Sequence, residues 1–331
     1  MVKPMTILVT GANGFIGSHV VRSLLQRGYA VRALVRDAPR ADLRSLDGLD
    51  VELARGDLLK PGTLIDATAG CKAVIHTAGL VNTHPLNGWR VWEINLVGTS
   101  NVLTAAQHAN VEKFIHVASI FALGVGAQGQ PVGENVQDNL GNLRIPYVVA
   151  RRAADAKAEK HLAAGMPIVF VYPTYCIGPG VHDMRASPQR QIVAFLRGQM
   201  PFYSSGGLNV VDARDVAEAL VLALEHGGVG AKYLAGGENV TFRELFERLG
   251  KAANRRPPAL RVPNTVALAS GWVMQWLSRA PLLDAATAQL MRYRWYYDSS
   301  KARQELGYAP RPLDETLRDM VAWLKENHYI R

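Results

Sequence analysis

The chain has 331 residues, 48% of them hydrophobic and 20% charged, with a formal net charge of +9. These are the proportions of an ordinary soluble globular protein, and the length suggests about two domains with core enough to need no metal or disulfide staple. They exclude a bilayer span: the longest apolar helical stretch, Val266 to Leu277, is broken by Ser270, Gly271 and Gln275 and is too short to cross.

The basic residues are dispersed among acids, and the densest patch, Arg151, Arg152, Lys157 and Lys160, is diluted by alanines. The charge therefore reads as a generally basic surface that attracts phosphate-rich ligands, not as a nucleic-acid interface. Cys71 and Cys176 match no zinc or disulfide spacing and read as buried thiols. Residues Thr6 to Thr10 are apolar but run into a glycine turn without a cleavage site, so a cytoplasmic location is expected. Surface contact with a membrane through Val266 to Leu277 stays open. Within that stretch Trp272, Met274, Trp276 and Leu277 read as helix packing, not as a ligand cage.

Strand and helix patterns alternate from the start. Ile7 to Val9 is a buried-strand run, and Ile16, Val20 and Leu24 give the next segment helical spacing up to Gly28. Val31 to Val35, Val51 to Ala54 and Ala73 to His76 read as strands. A long helix is expected over Trp89 to His108, a strand over Lys113 to Val117, a second long helix over Tyr147 to Leu162, and a strand over Ile168 to Val171. After Pro173 the pattern loosens, leaving a short strand at Asn209 to Val211, a helix over Ala213 to Glu225 and a strand at Lys232 to Ala235. From Thr241 helices dominate, the first opened by Thr241 and Glu244 at capping-box spacing. The alternation predicts an α/β fold, a doubly wound parallel sheet with a smaller, mostly helical C-terminal part. Residues 1–172 with 208–236 form the expected sheet domain, and 173–207 with 237–331 the substrate domain.

Thr10-Gly11-Ala12-Asn13-Gly14-Phe15-Ile16-Gly17 lies between the first strand and the first helix. A dinucleotide pyrophosphate needs a tight turn, close backbone approach and a helix N-terminus. Gly11 supplies the turn, Gly14 the approach and Gly17 the packing of helix on sheet. Glycines also make ordinary turns, but this position, directly after a buried strand, makes the reading specific. The second strand ends Val35-Arg36-Asp37. A 2′-hydroxyl is usually held there by a carboxylate and a 2′-phosphate by an arginine. Val35 offers no carboxylate, whereas Arg36 follows it and Arg40 is near, so NADP(H) is favoured; Asp37 keeps NAD(H) open.

More landmarks follow in order: Gly56-Asp57-Leu58, His76-Thr77-Ala78-Gly79, Asn95-Leu96-Val97-Gly98-Thr99, Ser119, Tyr147, Pro173-Thr174, Gly178-Pro179-Gly180, and Ser299-Ser300-Lys301 through Leu306-Gly307-Tyr308. With the glycine turn and its Asn13, they resemble the extended short-chain dehydrogenase/reductases of the NAD-dependent epimerase/dehydratase superfamily. The resemblance covers essentially the whole chain. It is nearest to dihydroflavonol-reductase-like and hopanoid-associated epimerase-like members, with 3β-hydroxysteroid dehydrogenases further off.

The resemblance implies a Rossmann sheet of about seven strands, a C-terminal substrate domain and a homodimer packed through the two long helices. It places Gly11, Asn13, Gly14, Phe15, Ile16, Gly17, Arg36, Asp57, Leu58, Thr77, Ala78, Gly79, Asn95, Pro173 and Thr174 at the cofactor, and Ser119, Tyr147 and Arg151 at the chemistry. One departure matters. The family has a lysine one helical turn after the tyrosine, and this chain has Arg151.

Carbonyl reduction needs a hydride and a proton on the same carbonyl group. A tyrosine can deliver the proton, a cation beside a phenol favours the phenolate, and a serine can orient the substrate oxygen. Arg151 lies on the same helix face as Tyr147. Arginine keeps the charge of lysine but not its shape. Taken singly, Ser119 reads as a strand cap, Tyr147 as a packed aromatic and Arg151 as a solvated cation; taken together, they read as a catalytic set.

Phe121, Trp89, Trp92, Tyr175, His182, Phe195, Phe202 and Tyr203 fall in or near segments that line the substrate cleft in the family. They suggest a hydrophobic or ring-bearing small molecule, although core packing explains most of them equally well. Three functions compete: an NADP(H)-dependent carbonyl reductase, a nucleotide-sugar epimerase or dehydratase that retains its cofactor, and a non-catalytic NADP(H)-binding protein made credible by Arg151.

Overall fold

The structure, a computed structural model, describes residues 5–36, 42–180, 189–278 and 281–330. Asp37, Arg40 and His182 lie outside them.

Aliphatic runs make the first strands. β1 (Thr6–Thr10) and β2 (Ala30–Val35) bury Ile7, Leu8, Val9, Ala33 and Leu34, the continuous burial of strands covered on both faces. Between them lies α1 (Phe15–Gln26), which turns Val20, Val21 and Leu24 inward. β3 (Glu52–Arg55), α2 (Pro61–Thr68) and β4 (Ala73–His76) follow. The single helix expected over 89–108 is α3 (Gly88–Trp92) running through a π-helical segment, Glu93–Gly98, into α4 (Thr99–His108). β5 (Lys113–Val117), α5 (Pro146–Ala163) and β6 (Ile168–Pro173) complete the first half, with Pro146 at the start of α5, where its missing N–H costs nothing.

Then come β7 (Tyr175–Ile177), α6 (Arg190–Leu196), β8 (Phe202–Tyr203), β9 (Gly207–Asp212), α7 (Ala213–His226) and β10 (Lys232–Ala235). β11 (Glu238–Thr241) leads into α8 (Phe242–Ala253), whose capping box forms between Thr241 and Glu244. The chain ends with β12 (Leu260–Arg261), α9 (Asn264–Leu277), α10 (Ala285–Leu290), β13 (Arg294–Trp295), α11 (Ser300–Leu306) and α12 (Leu313–Glu326).

Seven parallel strands form the central sheet in the order β3-β2-β1-β4-β5-β6-β10. α1, α7 and α11 contribute to the core on one face, and α2, α4 and α5 to the core on the other. The order reverses between β1 and β4, and a crevice at such a switch point is where doubly wound sheets bind ligands.

A second sheet of four strands was hidden in the sequence. β9 pairs with β11, β13 and β7. β7, β11 and β13 are two to four residues long, too short to show a period. This sheet carries the C-terminal residues back over the end of β5.

Candidate active site

The glycine turn is built as the sequence demands. Gly11 has φ +66° and its carbonyl accepts the Gly14 N–H at 2.8 Å. A Cβ on Gly17 would lie 2.1 Å from the Gly11 carbonyl oxygen, so only glycine lets α1 pack this closely. Gly14 is the N-cap of α1 and brings no side-chain cap, and the first turn holds no carboxylate. The first-turn N–H groups are therefore left for an anion. Asn13 is held outside the turn by its side-chain bond to the Asp42 carbonyl (3.0 Å), and Ser45 donates to the Asn13 carbonyl (3.0 Å).

A buried polar ladder supports the floor of the crevice. Thr10 sits opposite His76, and His76 opposite His116. The Thr99 hydroxyl donates to the Asn95 carbonyl (2.6 Å), so it accepts from His76 Nε2 (3.0 Å), leaving His76 Nδ1 to accept from the Thr10 hydroxyl (2.7 Å). The network thus assigns the Nε2–H tautomer of a neutral imidazole. Burial, then the positive potential of His116 and Arg151, pushes His76 well below the ordinary histidine range. The Thr10 hydroxyl also accepts the Ala78 N–H (3.3 Å), and the Thr77 hydroxyl donates to the Thr10 carbonyl (2.6 Å). β4 is thereby locked to β1 at the switch point.

Beyond β4 the chain is clamped by Asn95, which accepts from Leu80 N and donates to Leu80 O, both at 2.9 Å. A Cβ on Gly79 would meet Asn95 Oδ1 at 3.1 Å and Arg151 Nη1 at 3.6 Å. Arg151 thus borders the space that a side chain on Gly79 would fill. Its guanidinium donates to the Val117 carbonyl at the end of β5, only 5% of the residue is exposed, and its Nε has no partner among the described residues. The reading of Arg151 as a solvated cation is excluded.

Ser119 and Tyr147 are buried beside the same strand end. Ser119 caps the short turn Ile120–Ala122 by accepting the Phe121 N–H at 3.3 Å, so the modest capping role is real. Its hydroxyl proton remains to be donated. No hydrogen bond occupies the Tyr147 hydroxyl among the described residues. The ring of Phe121 stands edge-on to Tyr147 (centroids 6.1 Å apart) and to Trp295 (4.7 Å), with Tyr293 against Trp295 (5.8 Å). The Tyr297 hydroxyl donates to the carbonyls of Ile120 and Gly124. Trp295 of β13 thus backs Phe121, the ring that stands against Tyr147. Nothing local in the sequence signals this, because Phe121 and Trp295 lie far apart in the chain.

Other expected residues take less central places. Arg36 is exposed just past β2. The Asp57 carboxylate accepts the Leu59 N–H, and the Leu58 carbonyl accepts from Asn101. Pro173 ends β6, and the Thr174 hydroxyl is committed to Asn209 at 2.9 Å. The Gly178–Gly180 loop is brought to α1 by a 3.1 Å contact between His19 Nε2 and the Pro179 carbonyl. Phe195 packs into the core against Phe246, whereas Trp89 and Trp92 are exposed. No group of three His, Cys, Asp or Glu that could hold a metal ion occurs among the described residues.

The uncapped, carboxylate-free N-terminus of α1 and the unpaired Nε of the buried Arg151 fit a nicotinamide dinucleotide. Comparison with known proteins agrees. The model of the NAD dependent epimerase/dehydratase family matches residues 7–236, and the chain belongs to that family, among its extended short-chain dehydrogenase/reductase members. It is 33% identical over 332 residues to a putative dihydroflavonol 4-reductase of Synechocystis, covering 98% of this chain and 95% of the relative. It is 30% identical to sterol demethylase protein B of Methylococcus capsulatus, covering 98% and 100%. The crystal structure of gox2253 superposes with a TM-score of 0.87 at 34% identity, over 99% of this chain and 100% of that one. Reductases recur among the relatives, and the chain is an NAD(P)-dependent oxidoreductase.

Proposed function

We propose that the protein is an NADP(H)-dependent reductase of a ketone or aldehyde on a hydrophobic, ring-bearing small molecule. The observation that carries this reading is the placement of Arg151, buried one helical turn beyond Tyr147 and bordering the space that a side chain on Gly79 would fill. The N–H groups at the start of α1 hold the pyrophosphate, Arg36 the 2′-phosphate, and Arg151 the cofactor beside Gly79. Gly11, Asn13, Gly14, Phe15, Ile16, Gly17, Asp57, Leu58, Thr77, Ala78, Asn95, Tyr147, Pro173 and Thr174 shape the remaining wall. The bound nicotinamide supplies the hydride.

Tyr147 gives its hydroxyl proton to the carbonyl oxygen, Ser119 orients that oxygen by donating a hydrogen bond, and Arg151 stabilises the tyrosinate that results. Phe121, partly exposed beside Tyr147, favours a flat apolar substrate by edge and face contacts, in keeping with the names of the flavonol- and sterol-directed relatives. The exposed side chains of Leu86, Trp89, Trp92, Val97 and Val149, on and beside the long helices, supply an apolar face for a homodimer.

The test replaces the cation. Arg151→Lys is expected to retain or raise turnover of aromatic and alicyclic ketones with NADPH, and Arg151→Met to abolish it and weaken cofactor binding. Wild-type turnover in Arg151→Met would remove the cation from the mechanism and leave a binding protein as the better reading.

A further inference from the structure

The apolar helix read from the sequence as packing is packed along one narrow side only. α9 (Asn264–Leu277) contains no ionisable residue and buries only Ala267 and Gly271. Its neighbour α10 is six residues long and built around Ala285, Ala286 and Ala288. At about 1.5 Å per residue it spans roughly 9 Å against the 21 Å of α9, too little to cover it. Val266, Val273 and Leu277 fall on one line of the helix, flanked by Trp272 and Trp276. Their exposures are 51%, 58%, 77%, 52% and 84%. A contiguous exposed face of this kind on a globular chain marks an interaction site.

The surrounding charge selects the occupant. Between residues 251 and 297 the chain has one carboxylate, Asp284, and it is buried, with its oxygens on the Thr287 N–H and the Thr83 hydroxyl. Arg255, Arg256, Arg261, Arg292 and Arg294 are exposed around it in sequence. Apolar residues with two tryptophans, in a stretch of chain rich in exposed arginines and with its single carboxylate buried, match an anionic lipid surface: the rings suit the headgroup level and the arginines the negative surface potential.

We infer that α9 docks the protein on an anionic membrane surface, lying in the interface with its Val266–Leu277 face in the lipid. No described helix is long and apolar enough to cross a membrane, and α9 spans only about two-thirds of a hydrocarbon core of roughly 30 Å. The site is also placed to matter to the cleft. Gly271 of α9 packs on Asp284 and Ala285, and Asp284 holds Thr83 of the loop that leaves Gly79. The docking does not depend on which reaction the crevice performs.

The experiment is co-sedimentation of the full chain with vesicles of phosphatidylcholine alone and of phosphatidylcholine with phosphatidylglycerol. It compares wild type with the double variant Trp276→Ser, Leu277→Ser, with light scattering on both proteins. Wild type is expected to bind the anionic vesicles at least tenfold better than the neutral ones. The variant, folded by circular dichroism and unchanged in oligomeric state, is expected to need at least tenfold more lipid. The proposal is overturned if wild type binds neither vesicle or both equally, if the variant binds as wild type does, or if the variant turns a larger wild-type species into a smaller one, which makes the face a contact between copies of this chain.

Discussion

The crevice and the C-terminal helix α9 break the same rule in opposite directions. Around β4 and β5 the protein takes polar groups inside: His76, Asn95, His116, Arg151 and Asp155 are all buried. On α9 it leaves apolar groups outside. Burying a polar group costs free energy unless its hydrogen bonds are made, and the crevice makes nearly all of them, from Thr10 through His76 to Thr99 and from His116 to Asp155 at 2.9 Å. Exposing indole and leucine side chains likewise forgoes stabilisation, about 1.5–3 kcal/mol for a large apolar group. Each exception is intelligible when something outside the chain completes it, a dinucleotide in one place and a lipid surface in the other.

Substitutions separate the two regions. Tyr147→Phe keeps the ring against Phe121 and removes the proton. Turnover should fall by about a hundredfold or more, the scale of losing a general acid, with NADPH affinity nearly unchanged in a fluorescence titration. Full activity in this variant would show that the proton comes from elsewhere. The double change on α9 should leave turnover of a water-soluble substrate as it is, and a comparable loss there would mean that the two regions are not independent.

A smaller effect is expected at Arg36. Loss of one charge-assisted contact to the 2′-phosphate should weaken NADPH by about tenfold and leave NADH as before, measured by titrating both cofactors into Arg36→Ala. Equal affinity for the two in wild type would move the preference to NAD(H).

The mildest effect concerns pH. His76 is held neutral, its folded value pushed below that of the unfolded chain by burial and by His116 and Arg151. As pH falls past about 6.5, the unfolded chain takes up a proton that the folded chain refuses. The stabilisation is therefore whole above that pH and is lost as pH falls towards the folded value. Urea unfolding at pH 7.5 and 5.5 should show wild type losing stability at the lower pH. His76→Gln, less stable throughout, should lose less between the two. An unchanged difference would point to His19 or His161, which burial also lowers.

What the sequence disclosed follows the range of the interactions. The glycine turn and the capping box at Thr241 are local, so spacing alone carries them, and a parallel sheet follows from the alternation around them; the pairing of Tyr147 with Arg151 and the count of seven strands come from the family resemblance. The His76 ladder joins residues 66 positions apart, and Trp295 reaches Phe121 from the other end of the chain; no period records such contacts. α9 failed for a different reason. Apolar composition says that a helix needs a neighbour but not how wide that neighbour is, and the alanines of α10 leave most of the surface of α9 uncovered.

The π-helical segment at Glu93–Gly98 has a consequence for how this chain can change through descent. A π turn is an α-helix into which one residue has been inserted, and everything beyond it is rotated by about 100° relative to an uninterrupted helix. Asn95, inside the insertion, holds Leu80; Thr99, directly after it, holds His76. Four positions apart, Asn95 and Thr99 share one face of the helix, so a single helix serves both partners. Deleting a single position between 93 and 98 would restore regularity and turn α3 against α4 by about 100°, so that the two ends of the helix could not both keep their present packing. Side chains along the outer face of this helix can drift, whereas its residue count is fixed, and a loss of one residue here should be rarer than any exchange.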